Sequence, residues 1–333
     1  MDKNEKNIYI RRFVLLTALF VAVYAFSFAV GRYPISLTGK MSALERARTL
    51  NVVWQIRFPR ITAAALVGAA LSTAGAAYQG TFRNPMVSPD LLGASSGAGF
   101  GAALGILLAF RYGGITLLSF GFGLLAVFAA ILVAKAARGD RVLSLVLAGI
   151  VISSLFSAGT SFIKLVADTE ETLPAITYWL MGSLSSIRMN NLTAAIPILA
   201  GIAVLYLLRW RLNLLTMGEE EARSVGVNPS RLRIVVIFCA TLMTAASVAI
   251  SGMIGWVGLV IPHFVRILFG YDYRRVIPAS ALMGATFLMV VDDVARVAVS
   301  SELPLGILTS FIGAPVFLYL IWKGEKNHET LRS

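Results

Sequence analysis

Charged residues are scarce in this chain, and long apolar runs take their place. Only 14% of the 333 residues are charged, 57% are hydrophobic, and the mean hydropathy is +0.79. A soluble domain carries roughly 25% charged residues, so this composition excludes an ordinary soluble domain. The apolar runs are of helical length, about 20 residues, and not the alternating segments of about 10 residues that build outer-membrane barrels. The sequence therefore predicts an all-α polytopic membrane protein.

The chain also lacks short motifs that hold nucleotides and metals. It contains no G-x-x-x-x-G-K-[ST] loop, no H-E-x-x-H and no C-x-x-C, so it offers no nucleotide loop of that kind and no metal-binding motif. The two histidines, His263 and His328, are too far apart in the sequence to form a metal site by themselves. The single cysteine, Cys239, excludes an internal disulfide. We expect no metal, no cofactor and no enzymatic activity.

The apolar runs define about ten candidate membrane spans. Their approximate bounds are 13–31, 60–80, 92–110, 114–135, 142–166, 191–209, 233–252, 254–269, 276–298 and 304–322. The eighth span is short and contains Pro262, which predicts a kinked or partial helix. The second carries small residues at helical spacing (Ala65, Gly68, Ser72 and Gly75), which predicts close packing against neighbouring helices.

The distribution of basic residues predicts the orientation of these spans. An even number of spans puts both termini on one side of the membrane. If that side is the cytoplasm, 19 of the 29 Lys and Arg residues lie in cytoplasmic segments, as the positive-inside rule requires. We therefore expect both termini in the cytoplasm. The net charge of +12 is then largely a topology signal, and we expect no nucleic-acid partner.

A polar island at residues 217–233, MGEEEARSVGVNPSRLR, interrupts the apolar second half of the chain. It contains three consecutive acids, three arginines and an Asn-Pro turn: Glu219, Glu220, Glu221, Arg223, Arg231, Arg233 and Asn228-Pro229. Its length suits one short helix, a turn and the start of another helix. The predicted topology places the island in the cytoplasm, where we expect another protein to bind it.

Two acids, Asp292 and Asp293, lie within the ninth span. A carboxylate inside the membrane is by default a functional-site hypothesis, and an ion-coupled carrier would need one at mid-depth. Arg296 follows one helical turn later, however, so a local ion pair explains the two acids at least as well.

Arginines mark the outer ends of two spans. Arg57 and Arg60, in the segment IRFPR, begin the second span, and Arg296 ends the ninth. They are either interfacial anchors or a docking patch for a partner that carries carboxylates, since guanidinium groups form forked hydrogen bonds with carboxylates.

Several segments, taken in order, resemble the permease subunits of type II ABC importers, the iron–siderophore, haem and cobalamin (FecCD) family. They are RFPR (57–60), LVGAALSTAG (66–75), FRNPMVSPDLLG (82–93), LAGI (147–150), YWLMGS (178–183), SGMIGWVGLVIPHFVR (251–266) and ELPLGILTSFIGAPVFLYLI (302–321). The resemblance covers nearly the whole chain and implies one transmembrane permease domain over 1–333. It further implies ten helices per subunit, two subunits around a central path, two ATPase subunits beneath and a soluble or lipid-anchored binding protein outside.

The resemblance also implies roles for particular residues. The segment 216–233 resembles the EAA---G signature that contacts the ATPase, with Glu221 standing where the signature has its first alanine. The residues implied are Glu220, Glu221, Ala222, Arg223 and Gly226 for ATPase coupling, Arg57, Arg60 and Arg296 for binding-protein docking, and Asn84, Met86, Val142 and Leu143 for the cytoplasmic gate. Val142 and Leu143 are matched by position only.

The sequence thus predicts an importer permease in the cytoplasmic membrane of a bacterium or archaeon. We expect a homodimer, or a heterodimer with a paralogue, that carries a ferric siderophore or a similar iron chelate. Haem, cobalamin or an oxyanion are alternative cargoes within the same class. An ion-coupled secondary transporter is the alternative from another class, and it would need an essential acid at mid-membrane.

Overall fold

The computed structural model describes residues 3–31, 33, 42–137, 139–298 and 302–329, and within these ranges the chain forms thirteen α-helices and no strand. The first seven are α1 (Lys3–Ser27), α2 (Ala43–Val52), α3 (Phe58–Thr81), α4 (Ala94–Leu107), α5 (Tyr112–Ala136), α6 (Arg141–Val166) and α7 (Thr172–Met181). The remaining six are α8 (Ala195–Met217), α9 (Glu219–Ser224), α10 (Pro229–Ser251), α11 (Val257–Phe269), α12 (Tyr273–Val297) and α13 (Leu305–Glu329).

The all-α membrane class is confirmed, and the count of ten spans stays a prediction. Seven helical segments in the described ranges are long and apolar enough to cross a membrane, and three further apolar helices are shorter: Ala94–Leu107, Val257–Phe269 and Leu305–Tyr319. The partial eighth span is confirmed, because α11 has only 13 residues and contains Pro262. The single segment Leu44–Thr81 is longer than predicted, because α2 and a π-helical turn, Val53–Arg57, lead directly into α3.

The start of α2 has a local explanation. Ser42 caps the helix: its hydroxyl accepts a hydrogen bond from the Glu45 backbone N–H, and the Glu45 carboxylate accepts one from the Ser42 backbone N–H. This capping box satisfies two backbone groups that a helix start would otherwise leave unpaired. The connection between α6 and α8 contains a short helix of its own, α7, which has 10 residues.

Helix α3 forms the centre of the bundle, and its small residues explain why. A Cβ atom added at Gly75 would lie 1.8 Å from the carbonyl oxygen of Gly258 in α11, and one at Gly68 would lie 2.2 Å from that of Gly284 in α12. Only glycine permits backbones to approach this closely. The predicted small-residue face of the second span therefore packs α3 directly against two neighbouring helices.

The bundle has two distinct ends. With 24 residues, α3 is about 36 Å long. Arg60 lies at its start, and we call this end of the bundle the Arg60 end. Tyr273, the first residue of α12, packs beside Gly80 near the other end of α3, so α12 runs antiparallel to α3. That other end also carries α9 and is called the α9 end.

Candidate functional site: two charged ends of the helical bundle

At the Arg60 end, a cluster of buried ion pairs surrounds Arg60. Its Nη2 lies 2.8 Å from Asp292 Oδ1, and its Nε donates to both carboxylate oxygens of Asp292 at 3.0 and 3.1 Å. Its Nη1 donates to the two carboxylate oxygens of Glu302 at 2.8 and 2.9 Å. Arg60 is 6% exposed, and the side chain of Glu302 is 27% exposed. Glu302 therefore covers the outer side of the guanidinium.

Arg296 shares the same carboxylate from the other side. Its Nε lies 3.2 Å from Asp292 Oδ2, and its Nη2 pairs with Asp293. The hydroxyl of Ser27 donates to Asp293 Oδ2 at 2.7 Å, and Arg296 Nη1 donates to the Val30 carbonyl at 3.0 Å. The cluster thus joins α1, α3 and α12. The ion pair predicted between Arg296 and the two aspartates is confirmed, and Arg60 is an additional partner.

The three arginines of the predicted docking patch are buried in this chain. Arg57 is 4% exposed, and its guanidinium donates to the backbone carbonyls of Phe28 and Tyr33. Three arginines and three acids make the cluster neutral as a whole. A carboxylate from outside would therefore meet Arg60 only by replacing Glu302, and the docking role stays a prediction.

At the α9 end, the polar island folds as the predicted short helix, turn and second helix. Glu219 opens α9, and its carboxylate pairs with Arg223 at 3.2 Å and with Arg233 at 2.8 Å. Arg233 lies on α10 and is buried. This ion pair therefore ties α9 to the helix that follows it.

Gly226 closes α9 through its backbone conformation. Its φ is +77°, its N–H donates to the Arg223 carbonyl at 2.9 Å, and the N–H of Val227 donates to the Ala222 carbonyl at 2.9 Å. These two hydrogen bonds form a Schellman motif, which places glycine in the left-handed region just after the helix. Asn228 then caps α10, because its side chain accepts a hydrogen bond from the Arg231 N–H at 3.1 Å. The turn geometry is thus specified by Gly226 and Asn228.

The predicted coupling residues divide into a buried and an exposed set. Ala222 is completely buried, so a larger side chain there would have to displace its neighbours. Glu220, Glu221, Arg223 and Gly226 are exposed, and a Cβ atom added at Gly226 would have no neighbour within 4 Å. The structure therefore brings these residues together on one small protruding element.

The predicted gate residues lie at this same end, Asn84 and Met86 in the connection after α3 and Val142 and Leu143 in the first turn of α6. Met86 and Leu143 are more than half exposed, and the Met86 N–H donates to the Asn84 side chain at 2.9 Å. Val142 follows the start of α6 and is partly buried. In the described ranges, no hydrogen bond or ion pair links Asn84 or Met86 to Val142 or Leu143. Their joint role as a gate stays a prediction.

Asp140 fixes the first turn of α6. Its carboxylate accepts hydrogen bonds from the Leu143 and Val142 N–H groups, each at 2.8 Å, and so caps α6. The hydrogen bond from Leu143 is the largest cause that holds the pKa of Asp140 below its ordinary value, and the hydrogen bond from Val142 adds to it. The positive charges of Arg233 and Arg83 lower the pKa further. The capped start of α6, the end of α3 and the start of α10 therefore lie close together.

Sequence reasoning missed two sets of contacts. The acids that pair with Arg60, Asp292 and Glu302, are 232 and 242 residues away in the sequence. The second set is a clamp at the α9 end, where the Asn213 side chain donates to Asp272 at 2.8 Å and accepts from the Tyr273 N–H at 2.8 Å. Matching basic with acidic residues predicted to lie at the same membrane depth could have suggested the first set.

Among the described residues, no group of three or more His, Cys, Asp or Glu side chains could hold a metal ion.

Comparison with known proteins agrees with this architecture. The FecCD transport family matches residues 18–323. The molybdate import system permease protein MolB of Haemophilus influenzae is 42% identical over 94% of this chain and 95% of its own. A probable iron chelatin transport system permease protein of Helicobacter pylori is 43% identical over 82% of each chain.

A solved structure is also similar. It shows an inward-facing conformation of a protein assigned as a metal-chelate type ABC transporter. It is 39% identical, has a TM-score of 0.87, and the match covers 94% of this chain and 99% of that one. The fold and the family are thus those of a multi-pass ABC transporter permease. This chain belongs to the FecCD transport family.

Proposed function

We propose that this chain is the transmembrane permease subunit of an ATP-driven importer in the cytoplasmic membrane of a bacterium or archaeon. The observation that carries the proposal is α9, a protruding element that joins α8 to α10 and holds the EAA---G-like residues at one end of the bundle. Its exposed acids and Arg223 are available to a partner, while Ala222 and Glu219 anchor it to the rest of the fold.

The proposed partner at the α9 end is an ABC ATPase, one copy for each permease. The permease itself performs no chemistry in this proposal. ATP closes the two ATPase subunits, and α9 transmits their movement to α8 and α10. Because energy enters only as a difference in ATPase affinity for two permease states, α9 must bind the ATPase differently in each state. The loop of Asn84 and the first turn of α6 around Leu143, at the same end, form the gate that responds.

The proposed assembly has two permease copies. Helix α6 supports this, since one of its faces is apolar and exposed over residues 147–155. The residues are Leu147, Ile150, Val151 and Leu155, each more than half exposed. These four positions are i, i+3, i+4 and i+8, which lie on one side of a helix and so form a continuous stripe. A second copy packed against this stripe would enclose a path between the two chains.

At the Arg60 end, the proposed partner is a soluble or lipid-anchored binding protein that delivers the cargo. Its acidic groups would replace Glu302 on Arg60, because Glu302 is the one acid of the cluster that reaches the surface substantially. This exchange keeps Arg60 paired throughout, which avoids the cost of an unpaired buried charge.

For the cargo we propose a ferric siderophore or a similar iron chelate. The Helicobacter pylori relative, named for iron chelatin transport, supports this class. An oxyanion is the second candidate, because MolB is named for molybdate and matches this chain over a larger share of its length. Haem and cobalamin are further alternatives.

The experiment is ATP-driven uptake by the complete complex in proteoliposomes. The chain, its cognate ATPase and its cognate binding protein are reconstituted, and uptake of ⁵⁵Fe-siderophore and of ⁹⁹Mo-molybdate is measured with and without ATP inside. We expect ATP-dependent uptake of the iron chelate and none of molybdate. ATP-dependent uptake of molybdate and not of the iron chelate would change the assigned cargo from an iron chelate to an oxyanion. The assignment of the chain as an importer permease would remain.

The matched control separates the importer from an ion-coupled carrier. The same liposomes without ATPase are given a proton or sodium gradient. We expect no uptake, because Asp292 and Asp293 are both engaged by arginines and offer no free acid. Gradient-driven uptake without the ATPase would reject the proposed function.

A further inference from the structure

An amphiphilic cavity of about 390 Å³ lies at the α9 end, separate from α9 itself. It is formed where the end of α5 meets the starts of α6 and α10. Its polar lining residues are Lys135, Ser144, Ser230 and Arg233, and its large apolar lining residues are Ile131, Leu145, Ile234 and Ile237. The polar and apolar groups come from all three helices, so a ligand here would contact each of them.

Arg233 gives the cavity a buried cationic wall. The residue is 6% exposed, and its Nη2 donates to Glu219 at 2.8 Å. Its Nε is buried and has no hydrogen-bond acceptor among the described residues. A buried guanidinium N–H without an acceptor is costly, so Arg233 places a positive group with unused hydrogen-bonding capacity in the wall of the cavity.

The charges around the cavity also favour an anion. Lys135, near the end of α5, is exposed at its edge. The acids nearby are already engaged: Glu219 pairs with Arg233 and Arg223, and the Asp140 carboxylate accepts the N–H groups at the start of α6.

The apolar wall indicates that the ligand has a hydrocarbon part. Ile234 is 51% exposed at the cavity, and Phe238 follows it one turn along α10 with 60% exposed. Phe128 and Leu132, on the facing length of α5, are also at least half exposed. An apolar strip therefore leads from the basic cavity along the membrane-spanning part of the bundle. A free inorganic anion would use only the basic part of this surface.

We propose that this cavity binds the headgroup of an anionic phospholipid. The phosphate lies between the positive charges of Arg233 and Lys135, and the acyl chains follow Ile234 and Phe238. Basic pockets between transmembrane helices are known to suit such headgroups on electrostatic grounds. Because Arg233 also holds Glu219, a bound lipid fastens the start of α9 to α10.

The test measures lipid retention by the purified full-length chain with native mass spectrometry. Phosphatidylglycerol and phosphatidylethanolamine with identical acyl chains are added at equal concentrations, and inorganic phosphate is added in a separate arm. We expect bound phosphatidylglycerol to exceed phosphatidylethanolamine by at least about fivefold, and phosphate not to displace it. Lys135→Gln lowers phosphatidylglycerol retention about fivefold, the effect of removing one basic residue near a headgroup.

Arg211→Gln is the matched control, because Arg211 is an exposed arginine near the end of α8, at the same end of the bundle and outside the cavity. We expect it to retain the lipid as the wild type does. Equal retention of the two lipids would overturn the proposal. Equal losses of phosphatidylglycerol retention in Lys135→Gln and Arg211→Gln would also overturn it. Displacement by millimolar phosphate would identify an inorganic-anion site instead, and a lipid-free dimer in place of the lipid adduct would identify a second copy as the occupant.

Discussion

Asp292 bridges two arginines from different helices, with Oδ1 2.8 Å from Arg60 Nη2 and Oδ2 3.2 Å from Arg296 Nε. The side chain of Asp292 is 1% exposed, so both ion pairs are shielded from water. A carboxylate in this position neutralises charges that would otherwise be buried without a partner. It also fixes α3 against α12 at the Arg60 end.

The first prediction is that Asp292→Asn strongly destabilises the fold. Removing one member of a buried ion pair leaves an uncompensated charge, which costs about 3–5 kcal/mol. Thermal unfolding of the purified chain in detergent measures the loss. Glu170→Gln is the control, since Glu170 is an exposed acid after α6 and its substitution should change stability by no more than about 0.5 kcal/mol. Equal thermal stability of Asp292→Asn and Glu170→Gln would show that the Asp292 ion pairs contribute nothing to the stability of the fold.

The second prediction concerns Glu302 and the proposed docking of the binding protein. Charge reversal at Arg57 or Arg60 would disturb buried residues, so Glu302→Gln is the sharper test. We expect the variant to bind the cognate binding protein about fivefold more tightly, because the partner's acid no longer competes with a carboxylate on Arg60, and electrostatic contacts of this kind respond to single charges.

Surface plasmon resonance at several salt concentrations measures this affinity. The affinity of the Glu302→Gln variant should fall more steeply with salt than that of the wild type, since its arginine is more available to an external charge. Glu170→Gln is again the control. If Glu302→Gln leaves both the affinity and its salt dependence unchanged, the arginines do not form the docking patch.

The third prediction separates two roles of Gly226. Its φ of +77° disfavours alanine by roughly 1–2 kcal/mol, whereas asparagine tolerates this conformation better. Gly226→Ala should therefore loosen the end of α9, which faster amide hydrogen exchange at residues 219–227 would detect. Gly226→Asn should keep the turn.

The same pair of variants tests the ATPase contact. Because the space around Gly226 is open in the single chain, the added side chain of Gly226→Asn can only obstruct a partner. We expect Gly226→Asn to lose ATPase association in a pull-down while its exchange at α9 stays normal. If the Gly226→Asn complex still couples ATP hydrolysis to uptake, α9 is not the element that transmits ATPase movement to α8 and α10.

The fourth prediction compares two glycines within helices. Gly75→Ala would place a methyl group 1.8 Å from the Gly258 carbonyl oxygen, so α3 and α11 must separate, at a cost of about 3 kcal/mol or more. A Cβ atom at Gly121 in α5 would meet nothing within 4 Å, so Gly121→Ala should be neutral or stabilising by up to about 1 kcal/mol. Thermal unfolding measures both. Similar melting temperatures for the two variants would contradict the close packing of α3.

Some local features of the site could be predicted because they depend on neighbouring residues. The break at 217–233 and its helix–turn–helix form follow from a short polar run with a glycine and an Asn-Pro pair. The pairing of Arg296 with Asp292 and Asp293 follows from their spacing of three and four residues on one helix. The partial span 254–269 follows from Pro262. Each of these needs only local geometry.

By itself, the sequence determined the all-α membrane class, the family and the position of α9 along the chain. Apolar length, charge spacing and ordered motifs are properties of the chain alone. Only the tertiary structure decided that Arg60 is neutralised by Asp292 and Glu302, that Gly75 meets Gly258, and that Lys135 and Arg233 share a cavity. These contacts join residues about 100 to 240 positions apart in the sequence. They depend on which helices pack together, and no local pattern specifies that.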